Sequence, residues 1–350
     1  MSSGSLNKIA FKKMVLSKSS LFSLFVVLVC LICSFFSYLI IPDKTPYANQ
    51  MFLELATIPP KSKVSFLEIP IKNVEKESFI KYFFIGKKSE FERIPINDFK
   101  TEKNKIIYTP ISTNIVQEYI GNYRVKQQTF WFGTDRFGRD LLSRIIYGVR
   151  VSMAVGCIAV FISLIIGITL GLIAGFYRGT VDDIVMWFVN VIWSIPTLLM
   201  VIAITLALGK GFWQVFVAVG LTMWVEVARI VRGQVLAIRE LEYIQASKVL
   251  AYSPLRIITK HILPNVIGPV IVISAANFAA AILIEAGLSF LGLGAQPPIP
   301  SWGSIIKDHY SYIIMDKAYL AVIPGLAIML VVLSFMTLGN RLRDSFDVRI

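Results

Sequence analysis

The sequence predicts an all-α membrane protein, built as a six-helix transmembrane bundle with a small, partly β extracytoplasmic insertion after the first helix. Hydrophobic residues make up 55% of the 350 residues and charged residues only 16%, whereas a soluble domain carries about 25% charged residues. Six apolar runs approach or exceed the roughly 20 residues that a helix needs to cross about 30 Å of hydrocarbon. A mean hydropathy of +0.68 therefore requires a membrane.

The first span is predicted at residues 21–41, because the run Leu21–Ile41 contains no charge. Residues 1–20 are predicted to stay in the cytoplasm, since basic residues flank the cytoplasmic ends of spans. These residues are Lys8, Lys12, Lys13 and Lys18. The run is longer than the apolar part of a cleaved signal peptide, and no small-x-small cleavage site precedes Pro42. An uncleaved anchor is therefore favoured over a signal peptide.

Residues 42–148 are predicted to form the extracytoplasmic insertion and a segment leading into the second span. The stretch up to about Phe130 is polar and rich in lysine. Within Ser65–Lys72, apolar and charged residues alternate, with Glu68 between two apolar neighbours, as expected of a β-strand. Its lysines are compatible with an outside location, because the positive-inside bias is weak for loops longer than about 60 residues.

Residues 149–340 are predicted to form a five-helix core. Its spans are Val149–Phe176, Ile184–Leu208, Phe212–Ala228, Pro264–Ala286 and Ala318–Leu338. Glycine, alanine and serine are frequent in them and allow helices to approach closely in lipid. Pro196 is predicted to kink the third span. Six crossings from an inside N-terminus place the loop 229–263 and the tail 341–350 in the cytoplasm.

The loop between the fourth and fifth spans is predicted to fold as a helix–turn–helix. Leu241–Leu250 forms the first helix, and Ser253 caps a second helix that continues to about Ile262. Pro264 is predicted to interrupt this pattern. Connections between neighbouring helices need only about 2–8 residues, so a segment of this length is expected to dock against a partner. The alternative is an amphipathic helix on anionic lipid.

Two stretches of this loop, Tyr243–Ala251 and Ile257–Asn265, resemble the EAA loop of binding-protein-dependent ABC permeases. In that family the loop forms a coupling helix that sits in a groove on the ATPase subunit. Here Gln245-Ala246-Ser247 replaces Glu-Ala-Ala and Ala251 replaces the usual glycine, while the spacing to Leu263-Pro264 is retained. The coupling residues implied by the resemblance are Glu242, Tyr243, Gln245, Ala246, Ser247, Ala251, Arg256, Leu263 and Pro264.

Three further stretches are similar to the oligopeptide, dipeptide and nickel permeases, and specifically to their "C"-type subunit. They are Phe132–Asp140 with Ser143–Gly148, Glu285–Gly303, and Gly339–Asp347. The first carries the extracytoplasmic family motif, whose residues are Gly133, Thr134, Asp135, Gly138, Arg139 and Asp140. Arg139 is a candidate ion-pair partner of either aspartate. The resemblance implies a bundle of the type I ABC importer kind in a bacterial inner membrane.

By this resemblance the chain is a permease subunit that forms half of the pathway of an ATP-driven peptide importer and couples to an ATPase through residues 241–264. No phosphate-binding Gly-x-x-x-x-Gly-Lys-Ser/Thr loop occurs in the sequence, so ATP use is assigned to a separate subunit and no cofactor to this chain. The implied partners are a second permease, two ATP-binding subunits, an extracytoplasmic solute-binding protein and the lipid bilayer. Nickel and sugar remain alternative cargoes.

Other functional classes have weaker support in the sequence. The net charge of +13 suggests nucleic-acid binding, but the basic residues form no single stripe with interleaved aromatic residues. A secondary transporter or channel is the main alternative, although no inverted repeat is evident. A membrane-anchored sensor and a membrane enzyme are further alternatives. His261 and His309 are too far apart to indicate a metal site, and the three cysteines are interpreted as small apolar residues.

Three sets of acidic residues lie near the spans. Asp182 and Asp183, at the predicted inner border, are interpreted as solvated. Glu226 and Glu285 are candidates for the translocation pathway because an acidic group within a span is costly to bury. The alternative for both is a position near the membrane interface.

Overall fold

The structure is a computed structural model that describes residues 17–71, 78–102, 105–209 and 211–346. It comprises two compact units. The first contains Met1–Leu31, Ser152–Gln296 and Leu326–Ile350, and the second contains Ile32–Val151 and Pro297–Gly325. Several residues of the sequence-based predictions lie outside the described residues, namely Lys8, Lys12, Lys13, Lys72, Asp347 and Arg349.

Eleven α-helices are present in the described part of the chain. They are α1 (Lys18–Ile40), α2 (Phe79–Ile85), α3 (Leu141–Tyr177), α4 (Gly179–Trp193), α5 (Thr197–Leu208), α6 (Phe212–Ile238), α7 (Glu242–Val249), α8 (Pro254–Ile257), α9 (Leu263–Phe290), α10 (Trp302–His309) and α11 (Tyr319–Phe346). Five helical segments are long and apolar enough to cross a membrane, and a bent pair brings the number to six. The predicted helical membrane bundle is confirmed.

The bent pair corrects the third predicted span. Instead of one helix over Ile184–Leu208, α4 and α5 meet at an angle of 90°. The break lies at Pro196, which lacks an N–H group and disfavours helical geometry in the residue before it. The kink predicted at Pro196 is therefore confirmed, but it is a sharp break between two helices rather than a bend within one.

The prediction that Pro264 interrupts the helix is wrong. From Pro254 to Phe290 the chain is one helical segment of 37 residues, in which α8 passes into α9 through a π-helical turn at Ile258–Ile262. The Leu263 N–H donates to the Ile258 carbonyl, five residues earlier. Proline disturbs the carbonyl four residues before it, and the wider π turn accommodates this without ending the helix.

The fourth span is also longer than predicted, because α6 continues past Ala228 to Ile238. A row of small residues sets its distance from α3. A Cβ atom added at any of three α3 glycines would lie between 2.5 and 2.7 Å from a valine Cβ of α6. The pairs are Gly167 with Val227, Gly171 with Val231, and Gly175 with Val235. We call this contact the glycine–valine seam.

The insertion contains a five-stranded antiparallel sheet with the order β4-β3-β2-β1-β5. Its strands are β1 (Ser62–Pro70), β2 (Phe91–Glu102), β3 (Lys105–Pro110), β4 (Gln117–Ile120) and β5 (Arg124–Phe130). The predicted partly β insertion is confirmed. Phe66 and Leu67 point to opposite faces of β1, and both are fully buried. Glu68 is buried as well. Its ion pairs with Arg93 at 3.0 Å and with Arg124 compensate the burial of its charge.

Candidate functional site

The first candidate site is the helix–turn–helix loop at 241–264. Helix α7 buries Ile244 and Ser247 and exposes four of the predicted coupling residues. The exposed residues are Glu242, Tyr243, Gln245 and Ala246. The Ser247 hydroxyl donates to the Tyr243 carbonyl at 2.8 Å, so Ser247 lies on the inner side of the helix. Ile244 joins the hydrophobic core formed by the ends of α6 and α9.

The turn after α7 is a Schellman motif with an alanine where glycine is usual. The Ala251 N–H donates to the Lys248 carbonyl at 2.9 Å, and the Tyr252 N–H donates to the Ser247 carbonyl at 3.1 Å. Ala251 has φ +55°, in the left-handed region that an alanine adopts at a cost of about 1–2 kcal/mol. Ala251 thus adopts the left-handed turn conformation that glycine usually occupies at a helix end.

Ala251→Gly is expected to stabilise α7 by about 1 kcal/mol, because glycine adopts a positive φ without the clash of a Cβ atom. Amide hydrogen exchange of α7 should slow by about fivefold if opening is local. Ala246→Gly, inside the same helix, should act in the opposite direction by about 0.5–1 kcal/mol. Faster exchange in Ala251→Gly would contradict the turn geometry described here.

The second half of the loop begins as predicted. Ser253 caps α8, its hydroxyl accepting the Arg256 N–H at 3.4 Å, and Pro254 takes the first helical position. The Arg256 guanidinium lies 4.1 Å from the centre of the Tyr252 ring. Leu263 is half-buried against the loop core, and Pro264 is exposed.

Three exposed apolar residues of the loop were missed by the sequence analysis. Val249 is 87% exposed, Leu255 71% and Leu250 65%. We call them the apolar knob. Apolar surface exposed on this loop is available for contact with a partner. The helical period of α7 could have predicted the exposure of Val249 and Leu250. If Ile244 and Ser247 face inward, these two residues lie outside the inward face.

The base of the loop is tied to the end of α3. Arg239 donates to the carbonyl groups of Phe176 at 2.6 Å and Gly175 at 3.3 Å, and so satisfies carbonyls that the helix end leaves open. Arg178 pairs with Glu240 at 2.8 Å. The Gln245 amide donates to the Arg239 carbonyl at 2.9 Å. Gln245 and Arg239 therefore help to position the loop.

The interpretation of Asp182 as solvated is wrong. Its two carboxylate oxygens accept from Arg232 Nε at 2.5 Å and Nη2 at 2.6 Å, and the residue is buried. Asp183 is exposed, as predicted. Arg229 stacks on the Trp193 ring and donates to Asn190 at 3.0 Å. These pairs join α4 to α6. Because Arg229 and Arg232 each have partners on α4, helix α6 accommodates both charged side chains beyond Ala228.

The second candidate site is the segment at 132–140, predicted to be a family motif, which forms a turn. Thr134 is fully buried; its hydroxyl donates to the Leu55 carbonyl and accepts the Ile58 N–H at 3.0 Å. Gly133 and Gly138 have φ values of +74° and +70°. The motif is therefore anchored on the segment between α1 and β1.

Asp135 is the centre of a buried charge cluster in this motif. One carboxylate oxygen accepts the N–H groups of Phe137 at 2.8 Å and Arg139 at 3.0 Å. The other accepts from Arg139 Nε at 2.6 Å and lies 3.5 Å from Arg144 Nε. Arg139 thus pairs with Asp135 and not with Asp140, the other predicted candidate. Arg139 also donates to Asn49 at 2.9 Å.

Asp140 caps the start of α3. Its Oδ2 accepts the Ser143 N–H at 2.9 Å and the Ser143 hydroxyl. Burial raises the pKa of Asp140 to about 6, against the opposite effect of its two hydrogen bonds from Ser143. The Ser143 hydroxyl in turn accepts the Asp43 N–H at 3.0 Å. The motif thus fixes the start of a membrane-spanning helix.

The two histidines and the remaining acidic residues have separate environments. His309 is buried, accepts the Arg136 N–H at 3.3 Å and contacts the Ile305 carbonyl at 2.7 Å through Nδ1; burial lowers its pKa. His261 stacks against Tyr252. Glu285 is buried and accepts the Ser289 hydroxyl at 2.6 Å, whereas Glu226 is exposed on α6. No cluster of three potential metal ligands occurs among the described residues.

Comparison with known proteins identifies one family. The sequence profile described as "Binding-protein-dependent transport system inner membrane component" matches residues 167–350. A dipeptide transport system permease protein of Alkalihalophilus pseudofirmus is 43% identical over 62% of this chain and 71% of its own length. A glutathione transport system permease protein of Pectobacterium atrosepticum is 39% identical over 63% of this chain and 73% of its own length.

An oligopeptide transport system permease protein of Bacillus subtilis is 38% identical over 63% of this chain and 72% of its own length. Among solved structures, an inward-facing form of the MetNI methionine ABC transporter is similar with a TM-score of 0.48 and 20% identity. That similarity covers 59% of this chain and 96% of the other.

Proposed function

This chain belongs to the family of binding-protein-dependent transport system inner membrane components, and from that premise we propose that it forms half of the translocation pathway of a peptide importer. It is a permease subunit of an ABC importer, not an enzyme, and the family's ATP is used by partner subunits. Peptides are the proposed cargo because related permeases carry dipeptides, oligopeptides and glutathione according to their names.

The loop at 241–264 is proposed to be the docking site for the ATP-binding subunit. The observation that carries this proposal is the apolar knob beside the exposed face of α7. Apolar side chains that are exposed to water favour binding of a partner, because the partner buries them. Glu242 and Arg256 lie at the exposed surface of the same loop, where charged groups contribute partner choice and orientation.

The connection of this loop to a span supports a coupling role. The helical segment Pro254–Phe290 is continuous, so a displacement of its loop end is transmitted to the membrane-embedded part. Asn265 donates to the Tyr243 hydroxyl at 3.3 Å, and Arg239 ties the loop to the end of α3. ATP-driven movement of the partner subunit would bias the bundle between two access states through these contacts.

The proposed assembly contains a second, homologous permease, two ATP-binding subunits and an extracytoplasmic solute-binding protein. The chain is placed in a bacterial inner membrane with both termini in the cytoplasm. This orientation puts the 241–264 loop on the side where ATP is available. It puts the insertion and the 132–140 motif on the side of the solute-binding protein.

The proposal is tested by capture of the ATP-binding subunits on the intact membrane complex. The double substitution Glu242→Arg and Ala246→Arg changes two exposed residues on one face of α7. We expect capture and transport-coupled ATP hydrolysis to fall by at least about tenfold, equivalent to 1.4 kcal/mol, because the variant reverses the charge of Glu242 and places two bulky side chains on the proposed contact face. Ile115→Arg with Glu118→Arg, in the exposed β3–β4 region, is the matched control.

Both variants must reach the membrane in wild-type amounts for this comparison. If the wild-type chain captures no ATP-binding subunit, or the α7 variant captures it fully and transport persists, the loop is not the docking site. The docking surface for the ATP-binding subunit would then have to lie outside residues 241–264. Uptake of peptide, Ni²⁺ and sugar by the wild-type complex distinguishes the cargoes.

A further inference from the structure

Helix α2 is an apolar helix within the otherwise polar insertion. Its sequence, Phe79–Ile85, contains one charged residue. Five of its side chains are exposed, Lys81 and four apolar ones: Phe79 and Ile80 at 70%, Phe84 at 59% and Ile85 at 45%. No residue of α2 is buried. Among the residues that the structure describes, most of the apolar surface of α2 is therefore left uncovered.

The helix is fixed beside the C-terminal end of α1. The Phe83 ring packs edge-to-face against Phe36, with 5.8 Å between ring centres. The Tyr82 hydroxyl donates to the Tyr38 carbonyl at 3.0 Å. After the helix, the Lys87 N–H donates to the Lys44 carbonyl at 2.9 Å. These contacts place α2 at the level where α1 ends, at Ile40.

Arg150 also holds the C-terminal end of α2. Its guanidinium donates to the carbonyl groups of Phe84 at 2.9 Å and Phe83 at 3.4 Å. These carbonyls belong to the last turn of the helix, which has no partners of its own for them. An arginine near the start of α3 thus holds α2 in place, although the sequence analysis assigned it no role.

The end of α1 beside α2 also exposes apolar side chains. Along the last turns of α1, Phe35 is 60% exposed and Ile40 46%, as expected of side chains that face hydrocarbon. We propose that α2 lies in the interfacial layer of the bilayer leaflet around the C-terminal end of α1, with its four exposed apolar side chains among the upper acyl groups. Interfacial helices bury such side chains about 5–10 Å into this boundary.

The residues that follow α2 fit this placement. Gly86, with φ +89°, turns the chain out of the helix, and Lys87 and Lys88 come next, with Lys88 exposed. The Lys87 ammonium pairs with Glu90 at 2.9 Å, whereas an exposed lysine such as Lys88 at the membrane boundary can reach phosphate headgroups. The insertion is thereby held to the bilayer at a third point, besides α1 and α3.

Fluorescence quenching by nitroxide-labelled lipids tests the placement. The full chain, with Cys30, Cys33 and Cys157 replaced, is labelled with bimane at Ile80→Cys and reconstituted in phosphatidylcholine–phosphatidylglycerol vesicles. The nitroxide is placed near the glycerol or deep in the acyl chain. Val116→Cys is the matched control, because Val116 is 66% exposed in the same insertion and outside α2.

We expect quenching at position 80 to exceed that at position 116 by at least about twofold, and to be stronger with the shallow nitroxide, since the burial depth is about 5–10 Å. Equal quenching at both positions, or none at position 80, would overturn the proposal. Should the cysteine-free chain not fold, a photoreactive residue at each position of the otherwise unchanged chain gives the same comparison. Lipid adducts from position 80 alone support the proposal, and protein adducts or no adducts there overturn it.

Discussion

Gly138→Ala is expected to destabilise the folded protein by about 3 kcal/mol or more. This value is the sum of two costs, that of a non-glycine residue in the left-handed region and that of steric overpacking. Gly138 has φ +70°, and an added Cβ would lie 1.7 Å from the backbone oxygen of Phe52. Backbone cannot move aside as a flexible side chain can. The turn of the 132–140 motif would have to separate from the segment between α1 and β1.

The measurement is the yield of monodisperse protein in detergent and its thermal unfolding midpoint. Gly233→Ala is the control, because Gly233 lies in α6 with nothing within 4 Å of the added Cβ. Alanine there should be neutral or slightly stabilising, given its higher helix propensity. Equal yields and midpoints for the two variants would show that the motif tolerates a different backbone path.

Asp135→Asn is expected to cost about 3–5 kcal/mol, the usual effect of removing one partner from a buried ion pair. The side chains of Arg139 and Arg144 are each only 5% exposed, and both lie within 3.5 Å of the Asp135 carboxylate. Asparagine keeps the shape and one acceptor oxygen but removes the negative charge. Two buried guanidinium groups would then face each other with less compensation.

Asp308→Asn provides the comparison for this charge. Asp308 pairs with Arg136 at 3.0 Å, but the two side chains are 28% and 39% exposed. Partly exposed pairs contribute about 0–1 kcal/mol. Chemical or thermal unfolding of both variants should therefore separate them clearly. If Asp135→Asn unfolds no earlier than Asp308→Asn, the cluster around Asp135 is not a determinant of stability.

The membrane spans were predictable because each depends on local composition. A charge-free run of apolar residues has few alternatives to a helix across the bilayer. The angle at Pro196 was not predictable, since a proline limits the local backbone but the packing of both helices sets their direction. The continuation through Pro264 was missed for a related reason: the compensating π turn involves residues that carry no turn signal of their own.

In the loop at 241–264, the features that depend on neighbouring residues in the sequence were predictable. Ser253 and Pro254 mark a helix start by their own chemistry. The exposure of Val249 and Leu255 depends instead on which face α7 buries, and so on contacts with α6 and α9. The partner of Asp182 could not be inferred either, because Arg232 is distant in the sequence and an isolated aspartate near a membrane border is also compatible with solvation.

The glycine–valine seam limits which substitutions α3 and α6 can accept. Glycines four residues apart on α3 meet valines at the same interval on α6, a repeat of about 6 Å at 1.5 Å per residue. A larger side chain on one helix fits only if its opposite neighbour shrinks, so accepted substitutions should occur as matched exchanges of volume. The same spacing makes a small axial slide unfavourable until one full repeat has passed. Relative movement of these two helices during a transport cycle is therefore expected to be rolling about the seam.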